Sequence, residues 1–403
     1  MRIGIIGAGA AGIASAIRAH QLGAQVHLVD ANAEPGKKLS ATGSGRCNIS
    51  NRAAKADTYF TDDHTALQRC FERLPNATVC EFLASLGIPT TSSEDGWVYP
   101  LSYSASNVVG ILVDNLAGIL YSPHTLITQI KKESDGFILS TDEKLLSPVF
   151  DAVIVAGGSP ANPQLGARNN LYTQIRELGH TIFEVRPALT PLETDTRLFH
   201  KLQGVRMDIG IDLLYNEKSI VHNTGNIIFT KWGLNGPGVM DISHMVSPQQ
   251  IESYSLRINF LPTHFQDIKN NLQDPALINL SLLSHLNAFL PSKVSLFLLQ
   301  QANLISTTTS QELSAQQRSM LLDTIQNQVV QLRAVRGFQH AQASTGGVPL
   351  AEIESRSMES RICSGLFFAG EIVNVLGPCG GYNLHWAFMS GLIAAEGAAL
   401  RSL

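Results

Sequence analysis

The chain has 403 residues, 44% of them hydrophobic, enough to bury a large core in more than one domain. Its 29 Lys and Arg stand against 33 Asp and Glu, a formal charge of −4, which leaves no basic excess for a polyanion and no charged block for an interaction tail. The five cysteines, Cys47, Cys70, Cys80, Cys363 and Cys379, form no CxxC pair, which argues against a disulfide scaffold or a zinc ribbon and fits a reducing compartment.

Residues 2–6 read as a short buried strand, 7–9 as a turn and 10–22 as a helix rich in Ala and Ile. The opening MRIGIIGAGAAGIASAI has the apolar character of a secretory signal, but its glycines at 4, 7, 9 and 12 would interrupt a signal helix and suit a strand–turn–helix. No apolar window of membrane-spanning length follows, so no stable membrane insertion and a cytoplasmic setting are expected. Residues 25–29 form a second strand ending at Asp30, which completes a βαβ unit. Residues 36–51, GKKLSATGSGRCNISN, are too polar and glycine-rich for a helix or a strand and read as a loop lying against something bulky and polar.

Residues 64–86 read as mainly helical around Pro75, WVYP at 97–100 as an edge strand, and 104–117 as a helix. Short strand signals occupy 118–141, and DAVIVAGG at 151–158 reads as a parallel strand entering a tight loop. From Pro191 the texture changes. Residues 205–262 alternate like antiparallel strands, with NTGN at 223–226 as the hairpin turn, and 275–333 have helical spacing. The βα character returns at GLFFAGEI (365–372), followed by a glycine-rich loop and a helix from about Asn383 to Leu400. The expected organisation is one α/β domain made of residues 1–190 and 335–403, interrupted by a β-rich part (191–270) and a helical part (271–334).

Gly7, Gly9 and Gly12 spell GxGxxG between a strand and a helix. The first glycine permits the turn, the second leaves room for a pyrophosphate, and the third allows close helix–strand packing. Asp30 ends the next strand, where a carboxylate can bind an adenosine ribose. That carboxylate suits FAD or NAD. The long loop after it and the distant FFAGE at 367–371 favour FAD. No second GxGxxG opens a βαβ unit, so NAD(P)H is expected only as a transient electron donor sharing the substrate cavity.

These motifs resemble the BaiN-like family of flavoproteins, also described as the aminoacetone oxidase-type family of FAD-binding enzymes. The matching pieces are GAGAAG (7–12), GKKLSATGSGRCNISN (36–51), ALTPL (188–192), FTKWGLNGPGVMDIS (229–243), ASTGGV (343–348) and the long run 358–391. The resemblance implies an α/β fold: a Rossmann-like FAD-binding domain of the glutathione-reductase type, interrupted by a β-rich and a small helical subdomain. The chain departs from the family at Asp30, where Glu is usual, at Ser44 and Cys379, where glycine and threonine are usual, and near Ser104, where a lysine is absent.

Motif and resemblance together give a cofactor-binding set. It comprises Gly7, Gly9, Ala10, Ala11 and Gly12; Asp30 and Ala31; Lys38 and Leu39; Gly43, Gly45, Arg46, Cys47 and Asn48; Ala156, Gly157 and Gly158; Gly370 and Glu371; and Gly380, Gly381, Tyr382, Asn383 and Leu384. Amides at the start of the last helix are expected to face the flavin N1–C2=O edge, with plain N-capping by Asn383 as the alternative. Lys37 and Lys38 read as phosphate contacts or as solvated lysines. Cys47 has no resolving partner nearby and reads as a packing or flavin-contact residue. No catalytic acid or base is assigned; Tyr382 and His385 are candidate proton donors, and Lys231, beside Trp232, a candidate pocket residue. No HxH or HExxH points to a metal.

The expected function is an FAD-dependent oxidoreductase moving a hydride between flavin N5 and a small organic substrate. The alternative is an FAD-binding protein whose flavin is structural or sensory. The charge balance argues against a nucleic-acid partner, and nothing in the sequence signals an oligomeric state.

Overall fold

The computed structural model describes residues 1–401. RIGII forms β1 (Arg2–Ile6), the middle strand of a parallel sheet. With β2 (Gln25–Val29), β3 (Leu120–Ser122), β4 (Ala152–Val155) and β5 (Leu366–Phe368), the order across the sheet is β3-β2-β1-β4-β5. Glu359–Ser360 and Ile353–Glu354 extend the β5 edge antiparallel. All four residues of β4 are buried, as continuous apolar runs are in a sheet covered on both faces.

Helix α1 (Ala10–Gln21) follows β1, and the last helix, Tyr382–Ala399, packs directly on it. Small residues set that distance. A Cβ on Gly391 would lie 2.5 Å from the Ala11 carbonyl oxygen. Ser15 Oγ bonds the carbonyls of both Ala11 and Gly391 at 2.9 Å, and Glu396 pairs with Arg18 (2.7 Å) and Arg73 (2.5 Å).

The chain divides into two compact units, one of Met1–Ala188 with the segment from Ala341 onward, the other Leu189–His340. Strands Phe183–Ala188 and Ala343–Gly347 pair antiparallel, with Ala188 opposite Ala343. The second unit therefore leaves and rejoins the first at facing positions of one hairpin.

The second unit is a closed six-stranded barrel. Arg206–Tyr215 and Lys218–Phe229 form its long hairpin. The turn lies at Asn216–Glu217, both at positive φ, as a two-residue hairpin loop requires. NTGN, expected as the turn, instead lies inside the second strand. Gly225 is tolerated there because the Gly238 backbone passes 3.2 Å from where its Cβ would be. Helices Leu282–Asn287, Ser292–Gln301 and Ala315–Gln326 lie within 275–333 as expected, but Gln328–Val335 is a strand that closes the barrel between Tyr254–Asn259 and Leu192–Thr194.

Two expectations in the first unit are also corrected. Residues 36–51 contain a helical turn (Lys37–Ser40), a tighter one (Thr42–Gly45) and a strand (Ser50–Asn51). Trp97–Pro100 is the central strand of a small sheet, flanked by Ser50–Asn51 and Thr90–Ser92. Its neighbours are short and polar, so composition concealed them. Helix Ala105–Asp114 follows, capped by Ser104 Oγ accepting from Asn107 N–H at 3.3 Å.

Candidate active site

The β1–α1 turn is shaped by what each glycine would strike. Gly7 has φ +103°, and a Cβ there would meet the Ala156 oxygen at 2.5 Å. Gly12 would drive a Cβ to 1.7 Å from the Gly7 oxygen. Gly9 differs: nothing lies within 4 Å of its Cβ position. Its flank is open, and it starts α1 without any side-chain cap. The first-turn amides of Ala10, Ala11 and Gly12, which no intrahelical carbonyl can reach, lie at this opening.

Asp30 stands beside the turn. Its carboxylate accepts the Ala8 N–H at 2.5 Å and the Asn32 N–H at 2.6 Å, which fixes its direction. Gly7, Asp30, Ala31 and Gly157 line one solvent-open cleft of about 390 Å³. Asn32, Thr125 and Arg168 line it too and had no signal in the sequence, because they come from three loops that only the sheet brings together. Gly158 (φ +71°) leaves open space, whereas a Cβ on Gly157 would strike Leu171.

Glu371 ties four segments together. One carboxylate oxygen accepts from Lys38 Nζ at 2.7 Å, the other from Ser159 Oγ (2.8 Å) and the Ser344 amide (2.9 Å). Lys38 is thus an ion-pair partner, while Lys37 is exposed. Gly370 (φ +75°) packs against the Ala11 methyl, and Leu39 is buried in the core.

The last helix starts at Gly381, which is left-handed (φ +95°) and offers no side chain as a cap. Asn383 is not the cap. Its amide accepts from Gly377 N–H at 2.9 Å and donates to Gly377 O at 2.8 Å, bracing the GPCGG loop. In the orientation that satisfies its amide, Asn48 donates to Val98 O (3.1 Å) and Ser50 O (3.0 Å) and accepts the Gly381 N–H (3.3 Å). The 36–51 segment and the last helix therefore meet at Asn48. Gly43, Ser44, Gly45 and Cys47 all have positive φ, so this segment is held in a sparsely populated backbone shape.

His385 is fully buried. Its Nδ1 meets Ser50 Oγ at 2.9 Å, Phe71 stacks on it at 5.8 Å, and Nε2 has no partner. Desolvation lowers its pKa to about 4, which keeps it neutral near pH 7. Tyr382 is half-buried; its carbonyl accepts the Tyr59 hydroxyl at 2.9 Å, and the two rings meet edge to face. Burial pushes the Cys47 thiol up to about 11, against a thiolate role. In the other unit Lys231 is exposed, and Trp232 carries the Arg336 guanidinium 4.4 Å over its ring.

Cleft, turn and last helix belong to one unit. Gly391 touches α1 near its start, and Tyr382 lies nine residues earlier, roughly 14 Å along the helix axis at 1.5 Å per residue. The open Gly9 flank, the two uncapped helix starts and the Asp30 cleft fit a phosphate-containing dinucleotide with a second ring system.

A family model described as HI0933-like protein Rossmann domain matches residues 1–397. The 3-dehydro-bile acid delta(4,6)-reductase of Clostridium scindens is 32% identical, over 99% of this chain and 99% of that one. The ribosomal RNA dihydrouridine synthase of Escherichia coli is 29% identical, over 97% of this chain and 96% of that one. Among solved structures, 3-ketosteroid-delta4-(5alpha)-dehydrogenase from Rhodococcus jostii, in complex with 4-androstene-3,17-dione, superposes with a TM-score of 0.50 at 14% identity, covering 98% of this chain and 96% of that one. That likeness bears on the fold alone. The second relative's name removes support for excluding nucleic acid on charge. Among the described residues, no helix is long and apolar enough to cross a membrane.

Proposed function

The chain belongs to the HI0933-like family of FAD-binding Rossmann proteins, whose relatives are flavin-dependent oxidoreductases, and from this premise we propose that it reduces a C=C bond conjugated to a carbonyl group. The support is chemical. A delta(4,6)-unsaturated 3-dehydro bile acid carries C=C bonds in conjugation with a ketone, and dihydrouridine is uridine with the C=C bond next to its ring carbonyl saturated. Both names describe one type of bond.

The observation that carries the cofactor placement is the presence in one unit of two helix starts without a side-chain cap, the second of them joined to the 36–51 segment through Asn48 and Gly381. The α1 amides beside the open flank of Gly9 hold the pyrophosphate. Asp30, Ala31 and Arg168 border the adenosine cleft, and Asp30 binds the ribose. The Lys38–Glu371 pair ties the 36–51 segment to the loop after β5. The first-turn amides of the last helix would favour negative charge on the ring system of a bound flavin. Bound FAD supplies hydride transfer at its N5 position. Cys47 and Leu39 act through packing, and His385 with Ser50 holds the last helix in place.

NADH or NADPH serves as the transient electron donor in this reading. Anaerobic stopped-flow reduction by each nicotinamide, followed by mixing in turn with enones, quinones and dioxygen, tests the reading. Reoxidation by enones with loss of their conjugated absorbance supports it. Reoxidation only by dioxygen or quinones, or no reduction of the bound flavin, would overturn it, the latter in favour of a structural or sensory flavin. A second reading, favoured by the Escherichia coli relative, takes uridine in RNA as the acceptor; dihydrouridine formed in unmodified ribosomal RNA would establish it.

A further inference from the structure

Side chains alternate along a strand, so Trp97 and Tyr99 share one face of Trp97–Pro100. Their rings are 6.5 Å apart, and Tyr103 adds a third ring 5.4 Å from Tyr99. Tyr103 is 46% exposed and Leu101 59%, so the rim is apolar and open, while Tyr99 is 7% exposed and supports it from within. Above it sits Arg46, exposed, with its guanidinium 5.6 Å from the centre of the Tyr99 ring. Among the described residues it has an aromatic face beside it rather than a carboxylate. The strained loop places it there: Ser44 and Cys47 hold φ values of +55° and +59°.

This group adjoins the start of the last helix. A Cβ on Gly380 would lie 3.1 Å from the Trp97 indole, and Asn51 donates to the Gly380 carbonyl at 3.0 Å. Flat rings stack on conjugated systems, and a guanidinium grips a carboxylate or phosphate through paired N–H bonds.

We propose that Trp97, Tyr99 and Arg46 are the substrate-recognition platform, taking a planar conjugated carbonyl compound that carries an anionic group. The ring system lies on the half-buried Trp97 indole and the exposed Tyr103, Tyr99 holds Arg46 over its own ring, and the carboxylate or phosphate pairs with Arg46. This inference rests on the reductase reading above and specifies its substrate class.

The test measures equilibrium binding to the oxidised holoprotein by perturbation of the flavin absorbance. Two probe pairs are used: a 3-oxo-4-cholenoate with its methyl ester, and uridine monophosphate with uridine. The anionic member of one pair is expected to bind about 10- to 100-fold tighter than its neutral partner. The steroid pair responding identifies a carboxylate source, the uridine pair a phosphate source. Arg46→Gln is expected to abolish the preference, Arg46→Lys to retain part of it, and Trp97→Leu to weaken both members of the responding pair. Absent discrimination in the unaltered protein, or a preference that survives Arg46→Gln, overturns the proposal. So does a fall in FAD affinity for Arg46→Gln with the preference intact, which would assign Arg46 to the cofactor. Binding without turnover would count against the reductase reading while leaving the platform standing.

Discussion

Gly9 and Gly12 are three residues apart and respond differently to one added methyl group. Gly12→Ala forces a Cβ onto the Gly7 carbonyl oxygen, so the apoprotein is expected to lose about 3 kcal/mol of stability, visible in denaturant melts. Gly9→Ala meets no protein atom and its φ of −82° is ordinary, so stability is expected to hold. Its methyl group enters the space assigned to the pyrophosphate, and FAD affinity is expected to fall roughly tenfold or more in a fluorescence titration. His385 gives a pH signature. Its folded pKa of about 4 lies below the unfolded 6.5, so the unfolded state binds more protons between those values. The stability it contributes is fully present above about pH 6.5 and is lost as pH falls towards 4, on the order of 3 kcal/mol in all. His385→Asn is expected to flatten that part of the stability–pH curve. An unchanged curve would contradict the buried neutral assignment. Gly7, Gly9, Gly12 and Asp30 were legible in the sequence because each role is local. Arg168, Ser50 and Trp97 were not, because their neighbours lie far along the chain.

The joint between α1 and the last helix is set by Gly391. Gly391→Val places side-chain atoms against the Ala11 carbonyl, which a packed helix pair relieves only by moving apart. A loss of about 1–3 kcal/mol is expected, together with weaker FAD binding, because α1 carries the phosphate-binding turn. A melt of the apoprotein and an FAD titration of the same variant check both. At this scale period and punctuation located β1, α1, β2, β4 and the last helix. They missed WVYP as a central strand, since its neighbours Ser50–Asn51 and Thr90–Ser92 have no hydrophobic pattern. They also misplaced the hairpin turn, because NTGN has the better turn chemistry while Asn216–Glu217 has the fitting register.

Across the whole molecule the second unit is inserted at one hairpin. Replacing residues 189–342 by Asn-Gly would join Ala188 to Ala343 through a two-residue turn that matches their antiparallel pairing. The shortened chain is expected to fold and to bind FAD, read by its visible spectrum and a cooperative melt; failure to bind FAD would show that the first unit does not hold the cofactor site by itself. The sequence by itself determined the βαβ start, the glycine pattern, the return of βα character near residue 365 and the family, because these depend on short-range sterics and on motifs contiguous in the chain. Only the tertiary structure decided that Asn48 meets Gly381, that Glu371 joins Lys38 to Ser159 and Ser344, and that Arg46 stands over Tyr99. Those contacts bring together segments far apart in sequence, and their geometry is set by how closely glycine-bearing helices and strands can pack, which no local pattern records.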